Sequence, residues 1–358
     1  MRTQKTAATG TLLIASDIHG NTSQYDKLFS YALNHNCSGI VLGGDLMPKG
    51  LLFSPARQRD FINNYLFARM DSLHRQRGKP LPIFLMMGND DLKTNEQLLI
   101  DNQARHHFTY IHNRIIGFGK YFIAGYSFVP PTPHKCKDWE KPDGARLRAQ
   151  RGAFREDGWL SLGDERMPCL IGDLPGIAQD LEEMFKGFTH FDKTLFISHA
   201  PPYGTHLDMV KRDSQHVGSM AVREFLARHR PLLSVHGHIH ETVLVSGEWQ
   251  DRIHDGAGPA IAIGNDHRDA SPFAVVVTFS KHGPNIQRLR ITDPQRALRA
   301  DGGVTSLLMS TTRSARSLRR RIAEKIGEAT AMLRIYSTKK KAAEIGQVAP
   351  LLKKLYAR

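Results

Sequence analysis

Short apolar runs alternate with segments of helical period through the N-terminal part of the chain. The runs cover residues 11–16, 39–42 and 83–87, and apolar positions between them follow helical spacing over 24–34 and about 55–77. Strands that alternate with helices in this way favour a parallel sheet covered by helices. The order of elements therefore predicts an α/β fold. The composition, 41% hydrophobic and 23% charged, is that of an ordinary globular protein and agrees with this prediction.

A second set of predicted strands follows farther along the chain. These strands cover residues 121–125, 194–198, 232–235, 242–245, 260–263 and 273–279. Because the last of them follow one another without long helices, we expect a second sheet that is mixed or antiparallel. Residues 129–175 are rich in proline, glycine and charge, and we interpret them as a long surface excursion.

The cysteines and the first apolar run bear on location and on metal chemistry. Cys37, Cys136 and Cys169 have neither paired nor metal-like spacing, which argues for a reducing compartment without a disulfide framework. The first apolar run is too short for a signal peptide or a membrane span. We therefore expect a cytoplasmic protein with no transmembrane segment. Any metal ligands in it must be histidine, aspartate and asparagine.

The formal net charge of +14 is concentrated in the last part of the chain. Residues 294–358 contain 15 Lys and Arg against 4 Asp and Glu, whereas residues 1–293 are nearly neutral. Within this extension, Leu318, Ile322, Ile326, Ala329 and Leu333 follow helical spacing, which predicts an amphipathic basic helix. We expect it to pack on its own domain or to join subunits of a homo-oligomer. An anionic partner, lipid or nucleic acid, is the second choice, and stacking on nucleic-acid bases is poorly supported because the extension has only two aromatic residues.

Polar residues follow several of the predicted strands at the point where each strand ends. The carboxyl ends of the strands are where an open α/β sheet binds its ligands. Each short motif is common by chance, but the ordered set is hard to obtain by accident. The motifs are Asp17-Ile18-His19, Gly44-Asp45, Gly88-Asn89-Asp90, Ser198-His199 and Gly237-His238-Ile239-His240. Together they predict a site for two metal ions.

The side chains of these motifs suit a dinuclear centre. Asp45 is the natural bridge, because a carboxylate has two oxygens and a charge that offsets the repulsion between two cations. Asp17 and His19, one residue apart at the end of an extended segment, have side chains on the same side and can bind one ion together. By the same geometry, His238 and His240 can give one nitrogen to each ion.

The remaining ligands complete the second ion's set. Asn89 supplies an amide oxygen without adding charge, and His199 supplies an imidazole. Two ions about 3.5 to 4 Å apart can share a hydroxide that is nucleophilic at neutral pH. We expect two divalent transition ions, and the ligand types do not choose among Mn, Fe, Zn and Ni.

These motifs resemble the pattern of the calcineurin-like metallophosphoesterase family over about residues 11–280, and all seven ligand positions are filled. The resemblance implies a four-layer α/β/β/α sandwich, which we assign to residues 1–293, and the basic helical extension follows this domain. It implies hydrolysis of a phosphomonoester or phosphodiester by in-line attack of a hydroxide that bridges the metals. It assigns Asp17, His19, Asp45 and His240 to the first metal, and Asp45, Asn89, His199 and His238 to the second.

A finer resemblance is to a subgroup of prokaryotic predicted phosphoesterases. It rests on residues 129–133 followed by 137–140, and on residues 200–205 followed by 216–219.

One position departs from the family pattern. Many members have a histidine directly after the ligand asparagine, where it stabilises the transition state or protonates the leaving oxygen, and this chain has Asp90. An ionised carboxylate cannot donate a proton near pH 7 unless its surroundings raise its pKa. The candidates for the role are Asp90 so tuned, His206 and His216, and a good leaving group would need little help. We favour His216, which lies just before a predicted helix at 219–228.

Two other functions are weighed against hydrolysis of a small-molecule or nucleotide phosphate ester. A protein serine/threonine-type phosphatase is disfavoured, because the Asn-His pair typical of those enzymes is missing at Asp90. A non-catalytic binding module on the same fold would be expected to have lost metal ligands, and none is lost here. Phosphoester hydrolysis is therefore the favoured function.

Overall fold

Two six-stranded sheets form the centre of the computed structural model, which describes residues 10–49, 54–144, 156–254 and 256–292. The strands of the first sheet are β1 (Thr11–Ala15), β2 (Gly39–Gly43), β3 (Ile83–Met86), β4 (Phe108–Tyr110), β13 (Phe273–Ser280) and β14 (Gly283–Arg290). Their order in the sheet is β14-β13-β1-β2-β3-β4. Strands β1 to β4 are parallel, and β13 pairs antiparallel with both β1 and β14.

The second sheet is mixed, as the sequence predicts. Its strands are β5 (Arg114–Phe118), β6 (Tyr121–Tyr126), β9 (Thr194–Ser198), β10 (Leu233–His236), β11 (Gln250–Asp251) and β12 (Ala260–Ala262), in the order β11-β12-β10-β9-β6-β5. The four central strands are parallel, and the edge strands β5 and β11 are antiparallel to their neighbours. A separate hairpin joins β7 (Asp157–Leu162) and β8 (Glu165–Leu170). The predicted strand at 273–279 is β13 and belongs to the first sheet.

Helices connect the strands. They are α1 (Thr22–Asn34), α2 (Pro55–Phe61), α3 (Phe67–Arg77), α4 (Glu96–Asn102), α5 (Ile177–Met184), α6 (Met220–His229) and α7 (Thr242–Ser246). The helix predicted at about 55–77 comprises α2 and α3 with a π-helical turn between them at Ile62–Leu66. The Ser54 side chain caps its first turn, and Gly78 ends it in the left-handed conformation with a φ of 74°.

The alternation of side chains along the strands sorts the core into layers. In β1, Leu12 and Ile14 pack in the cluster shared by the two sheets, whereas Leu13 packs with residues of the helices. In β9, Ile197 packs in the cluster shared by the two sheets, and Phe196 packs with residues of the helices. Each sheet therefore has one face on the other sheet and one face under helices. The predicted α/β class and the sandwich of two sheets flanked by helices are confirmed.

One predicted strand is wrong. Residues 242–245 form most of α7 rather than a strand. The Thr242 hydroxyl donates to the carbonyl oxygen of His206 and accepts the N–H of Met209, which fixes the start of this turn, and Leu244 is 75% exposed. The place beside β12 at the edge of the sheet is taken by β11. A short apolar run has no period that separates a strand from a helical turn, so the sequence pattern could not distinguish them.

Part of the segment expected at the surface lies in the interior. Within residues 129–144, Val129 and Trp139 are fully buried, and the backbone N–H of Val129 donates to the carbonyl oxygen of Trp139 at 2.9 Å. Lys137 and Glu140 are buried as an ion pair with Nζ 2.7 Å from Oε2. The high charge of the segment suggested exposure, but paired charges can be buried when their hydrogen bonds are satisfied.

The basic extension predicted at 294–358 lies outside the described residues. None of the helices that are described is long and apolar enough to cross a membrane.

The buried ion pair generates the first prediction. The Glu140 carboxylate also accepts hydrogen bonds from the N–H and hydroxyl of Thr132, and burial raises the pKa of Glu140 to about 7 although Lys137 acts in the opposite direction. Lys137→Met would leave this carboxylate buried without a cation, so we expect the free energy of unfolding to fall by about 3–5 kcal/mol. Denaturant titration measures the loss.

The pH dependence follows from the raised pKa. A carboxyl group with a raised pKa stabilises the folded state at low pH, and that contribution is lost as the pH rises through about 7. In Lys137→Met the pKa of Glu140 rises further, so the destabilisation should be larger at pH 8.5 than at pH 5.5. Adding Glu140→Gln, which removes the unpaired charge, should recover part of the loss at pH 8.5. A loss that is equal at both pH values would contradict this account.

Candidate metal centre

The seven predicted ligands converge where the carboxyl ends of strands from both sheets meet. Asp17 and His19 follow β1, Asp45 follows β2, Asn89 follows β3, His199 follows β9, and His238 and His240 follow β10. β1, β2 and β3 run parallel to one another, and so do β9 and β10, so the ends of these strands that carry the ligands lie on one side of each sheet. The first three belong to one sheet and the last two to the other, so the site depends on the packing of the two sheets.

The first group of side chains contains two acids and two imidazoles. The ligating atoms of Asp17, His19, Asp45 and His240 all lie within 4.8 Å of one another. His19 Nε2 lies 3.1 Å from His240 Nε2 and 3.6 Å from Asp45 Oδ2. His240 Nε2 lies 3.4 Å from Asp17 Oδ1. Nitrogen and oxygen atoms at these separations could hold one cation.

The second group is built around an amide oxygen. Asn89 Oδ1 lies 3.1 Å from His199 Nε2 and 2.6 Å from His238 Nδ1. His199 Nε2 also lies 3.4 Å from Asp45 Oδ2. This group could hold a second cation.

Asp45 lies between the two groups. Its Oδ2 is near His19 Nε2 on one side and near His199 Nε2 on the other. Its Oδ1 accepts the backbone N–H of Asp90 at 2.8 Å, which fixes the orientation of the carboxylate. The side chain is buried, so its charge is poorly screened by water. A carboxylate in this place has the geometry of a bridge.

Four of the seven residues have a backbone conformation that L-amino acids rarely adopt. The φ angle is 58° at Asp17, 46° at His19, 53° at Asp45 and 69° at His238. Aspartate and histidine tolerate this region better than most residues, but it still costs about 1 kcal/mol or more per residue. Interlocking hydrogen bonds hold the turns: the N–H of His19 donates to the carbonyl oxygen of Asp45 at 2.9 Å, and the N–H of His238 donates to Asp17 Oδ1 at 2.9 Å.

Asp91 ties the turns after β2 and β3 together. Its buried carboxylate accepts the backbone N–H groups of Leu46 at 3.0 Å, Met47 at 2.7 Å and Gly88 at 3.0 Å. Its carbonyl oxygen accepts the indole N–H of Trp139 at 2.8 Å. Asp91 therefore fixes the separation between Asp45 and Asn89. This role could not be predicted from the sequence, because an aspartate in a turn gives no sign of distant backbone partners.

A second buried amide fixes the turn after β1. Asn265 Nδ2 donates to the carbonyl oxygens of Ser16 at 3.2 Å and Asp17 at 3.1 Å, and to Gln24 Oε1 at 2.8 Å. Asn265 and Gln24 are both fully buried. This residue was also not predicted, since it is far from Asp17 in the sequence and no motif surrounds it.

Burial keeps two of the imidazoles neutral. It lowers the pKa of His19 to about 4 against the nearby carboxylates, and burial together with the charge of His199 lowers the pKa of His238 to about 3. Both side chains therefore offer a nitrogen lone pair at neutral pH. Burial would also raise the pKa of Asp17, but the hydrogen bond and charge of His240 outweigh it and lower that pKa to about 2. Asp17 is therefore anionic at neutral pH.

His199 provides a test of whether the residues fit a cation. Its Nδ1 lies 3.0 Å from the carbonyl oxygen of Gly43, so Nδ1 carries the hydrogen of the neutral ring and Nε2 faces the oxygens of Asn89 and Asp45 with a lone pair. Burial disfavours a second proton, but the charge of Asp45 outweighs it and raises the pKa of His199 to about 9. A metal ion competes with such a proton for the same lone pair. The donor set therefore fits a cation.

The three candidates for the proton donor lie in different surroundings. Asp90 contacts the site: its Oδ2 lies 3.8 Å from His19 Nδ1 and 2.6 Å from Lys49 Nζ. His216 Nδ1 is held 2.7 Å from Asp208 Oδ1, and its ring lies near Tyr203. His206 is 56% exposed at the side chain and pairs with Asp251. Only Asp90 of these three has a described contact with one of the seven residues.

Two residues beside the first group were not predicted. The ring of His267 lies 4.5 Å from that of His19 and 5.4 Å from that of His240, and the ligating atoms of these three histidines lie within 4.8 Å of one another. His267 Nδ1 is buried and has no hydrogen-bond partner among the described residues. Lys49 is the second. Neither belongs to a recognisable motif, so the sequence carried no signal for them.

The chain is similar to one known family of proteins and to several solved structures. The profile of calcineurin-like phosphoesterases matches residues 10–242. No curated protein sequence matches the chain. One solved structure is 14% identical, with a TM-score of 0.52, over 79% of this chain and 100% of its own. At that identity it supports the fold and nothing finer.

Two further solved structures show a weaker likeness. A Thermus thermophilus protein is 16% identical over 79% of this chain and 100% of its own, with a TM-score of 0.49. A dimetal phosphatase from Danio rerio is 12% identical over 79% of this chain and 98% of its own, with a TM-score of 0.43.

The position of Asp91 generates a prediction about stability. Asp91→Ala would leave three buried N–H groups without their acceptor, and we expect the free energy of unfolding to fall by roughly 3 kcal/mol. Asp164→Ala is the matched control, because Asp164 is 68% exposed and its ion pair with Arg59 should contribute less than about 1 kcal/mol. Denaturant titration of both variants measures the difference. Equal stability of the two variants would show that Asp91 does not hold the turns.

Proposed function

Because the chain belongs to the calcineurin-like phosphoesterase family, we propose that it hydrolyses a phosphomonoester or phosphodiester with two divalent ions bound by the strand-end side chains. Membership makes it a metal-dependent hydrolase of phosphoester bonds, as the motifs predict. The observation that carries the finer proposal is the place of Asp45, whose Oδ2 lies 3.6 Å from His19 Nε2 and 3.4 Å from His199 Nε2. One carboxylate between two donor groups is the arrangement that a pair of ions needs.

The proposed ligand sets are those that the resemblance implies. Asp17, His19, Asp45 and His240 would hold one ion, and Asp45, Asn89, His199 and His238 would hold the other. When bound, the two ions would act as Lewis acids and lower the pKa of water, which gives a nucleophile for in-line attack on phosphorus at neutral pH. Mn, Fe, Zn and Ni all suit nitrogen and oxygen ligands of this kind.

The chain's own residues set the charge of the site. Asp17 and Asp45 are its two acids, and the other proposed ligands are imidazoles and one amide. Two carboxylates offset only half of the charge of two divalent ions, so a loaded site retains a positive surplus. That surplus attracts the phosphate ester and stabilises the charge that develops in the transition state.

The surroundings of the three proton-donor candidates change our preference. His216, favoured by the sequence pattern, has its Nδ1 on Asp208, whereas Asp90 contacts His19 and pairs with Lys49. In many members of the family, a histidine after the ligand asparagine stabilises the transition state or protonates the leaving oxygen. We therefore propose that Asp90 and its partner Lys49 take this role here. His206 is exposed and paired with Asp251, which argues against a role for it.

We also propose a cytoplasmic location. It is supported by the three cysteines, which are all free. A homo-oligomer or an anionic partner would involve residues 294–358, and that proposal rests on the sequence alone.

Turnover of a generic ester tests the proposed function. We expect the protein with added Mn²⁺ to hydrolyse p-nitrophenyl phosphate or bis-p-nitrophenyl phosphate, and Asp45→Asn to reduce kcat/KM at least about 100-fold by removing the bridge. Asp164→Asn, which changes an exposed aspartate in the same way, should keep the wild-type rate. Release of p-nitrophenol measures all three proteins.

Two further measurements sharpen this test. A phosphopeptide assayed beside the two esters separates a protein phosphatase from an enzyme for small esters. A chelator should abolish turnover and added Mn²⁺ should restore it. Protein that binds two ions and hydrolyses none of these compounds would be a binding module, and the proposal would be wrong.

Metal content gives a prediction that does not depend on the substrate. The wild type should bind about two Mn²⁺ per chain, and His240→Ala and His238→Ala should each reduce this to about one, because each residue belongs to a different group. Asp45→Ala should lose more than either. Mass spectrometry of the dialysed proteins measures the metal. Retention of two ions by both histidine variants would contradict the assignment of ligands.

A further inference from the structure

An ion pair stands where many relatives have a histidine. Asp90 directly follows the proposed ligand Asn89, and its Oδ2 lies 2.6 Å from Lys49 Nζ. The two residues come from different turns, after β3 and after β2. The pair therefore brings a positive charge to this position without a histidine.

Asp90 is held rigidly against the site. Its backbone N–H donates to Asp45 Oδ1 at 2.8 Å, and its carbonyl oxygen accepts from Gln58 Nε2 at 3.0 Å. Its carboxylate approaches His19 Nδ1 at 3.8 Å. An anchored carboxylate gives the lysine a fixed partner beside the first group of proposed ligands.

The backbone that carries Lys49 is also fixed. The N–H of Gly20 donates to the carbonyl oxygen of Leu46 at 2.9 Å, and Pro48 packs so closely on Gly20 that a Cβ there would collide with it. The turns after β1 and β2 are thus in contact. Lys49 leaves this contact with its ammonium directed toward Asp90.

The ammonium lies near the site and is accessible. Asp90 Oδ2 connects it to the first group, since this oxygen lies 2.6 Å from Lys49 Nζ and 3.8 Å from His19 Nδ1. The Lys49 side chain is nevertheless 44% exposed, against 22% for Asp90. A pair with a purely structural role would gain nothing from an exposed ammonium, and exposed pairs contribute little to stability.

We propose that Lys49, held by Asp90, is a substrate-binding residue whose ammonium donates hydrogen bonds to the phosphoryl oxygens of the ester. This inference rests on the proposed function and identifies a residue of that same site. An ammonium has three N–H donors, and one of them on Asp90 leaves two for a phosphate. Lysine binds phosphate as a point charge, and Asp90 limits the positions that this charge can occupy.

The pair also explains how a carboxylate can stand beside an anionic substrate. Asp90 alone would repel a phosphate ester. With Lys49 bound to it, the position is neutral as a whole and its donors are on the lysine. The positive surplus of the metal-loaded site is then preserved.

Binding of inorganic phosphate tests the proposal without turnover. The measurement is isothermal titration calorimetry on the full chain loaded with Mn²⁺. We expect Lys49→Met to raise the Kd for phosphate about 10- to 100-fold, as loss of a charged hydrogen bond should. Lys49→Arg, which keeps the charge, should stay within about 5-fold of the wild type. Metal content should be unchanged in both variants, because Lys49 is not among the proposed ligands.

A matched control and a double variant separate the possible causes. Lys186→Met removes another lysine of an ion pair, with Glu183, in which both side chains are 77% exposed, and should leave phosphate binding unchanged. In Lys49→Met/Asp90→Asn the repulsion by an unpaired carboxylate is gone. If Lys49 acts by donating hydrogen bonds to phosphate, the double variant should bind phosphate as weakly as Lys49→Met or recover only part of the affinity. Full recovery to the wild-type Kd would overturn the proposal, because Lys49 would then only neutralise Asp90.

Two other results would also overturn it. One is an unchanged Kd for phosphate in Lys49→Met, and the other is loss of bound metal from that variant, which would make Lys49 a support for the metal ligands. Should Lys49→Met not fold, Lys49→Gln is measured in its place. Steady-state kinetics with bis-p-nitrophenyl phosphate provide a second readout. In Lys49→Met, kcat/KM should fall as the Kd for phosphate rises. Metal-loaded wild type that binds phosphate and turns over no ester would refute the proposed function and leave the role of Lys49 to be judged by the calorimetry.

Discussion

The site depends on one buried carboxylate. Asp91 accepts N–H groups from Leu46 and Met47 on one turn and from Gly88 on another, and Trp139 holds its carbonyl oxygen. Asp45 precedes the first of these turns and Asn89 follows Gly88, so a single side chain sets the distance between a proposed bridge and a proposed terminal ligand. Residues 129–144, which bring Trp139 into the core, are thus connected to the site through one hydrogen bond. If residues 129–144 lost their ordered structure, both donor groups would be disturbed together.

The charges around the site are arranged in layers. Two acids lie at its centre among four imidazoles, and burial keeps those of His19 and His238 neutral. Asp90 and Lys49 follow at the more exposed side, where one charge cancels the other. This arrangement places one partly exposed cationic side chain beside the proposed metal ligands. Family membership and the convergence of the donors support the same chemistry.

Much of the fold and most of the candidate site could be predicted from the sequence, because both depend on local patterns. Apolar runs that end in Asp17, Asp45 and Asn89 specify buried strands and the residues at their ends. The pattern failed at 242–245, where a short apolar run forms a helical turn, and at 129–144, where charge is buried as a pair. It also could not identify Asp91, Asn265 or Lys49, whose roles depend on partners from distant turns. Such partnerships exist only after the two sheets have packed.

The left-handed turns at Asp17, His19, Asp45 and His238 lower the stability of the fold, but they carry proposed metal ligands. Glycine would relax each of these turns, since it adopts positive φ at little cost, and each such change would delete a donor. Selection for heat resistance alone would therefore favour replacement of these four residues. Most of the rest of the sandwich could be stabilised without loss of a proposed ligand. The strain of these four turns therefore points to selection for their side chains rather than for stability.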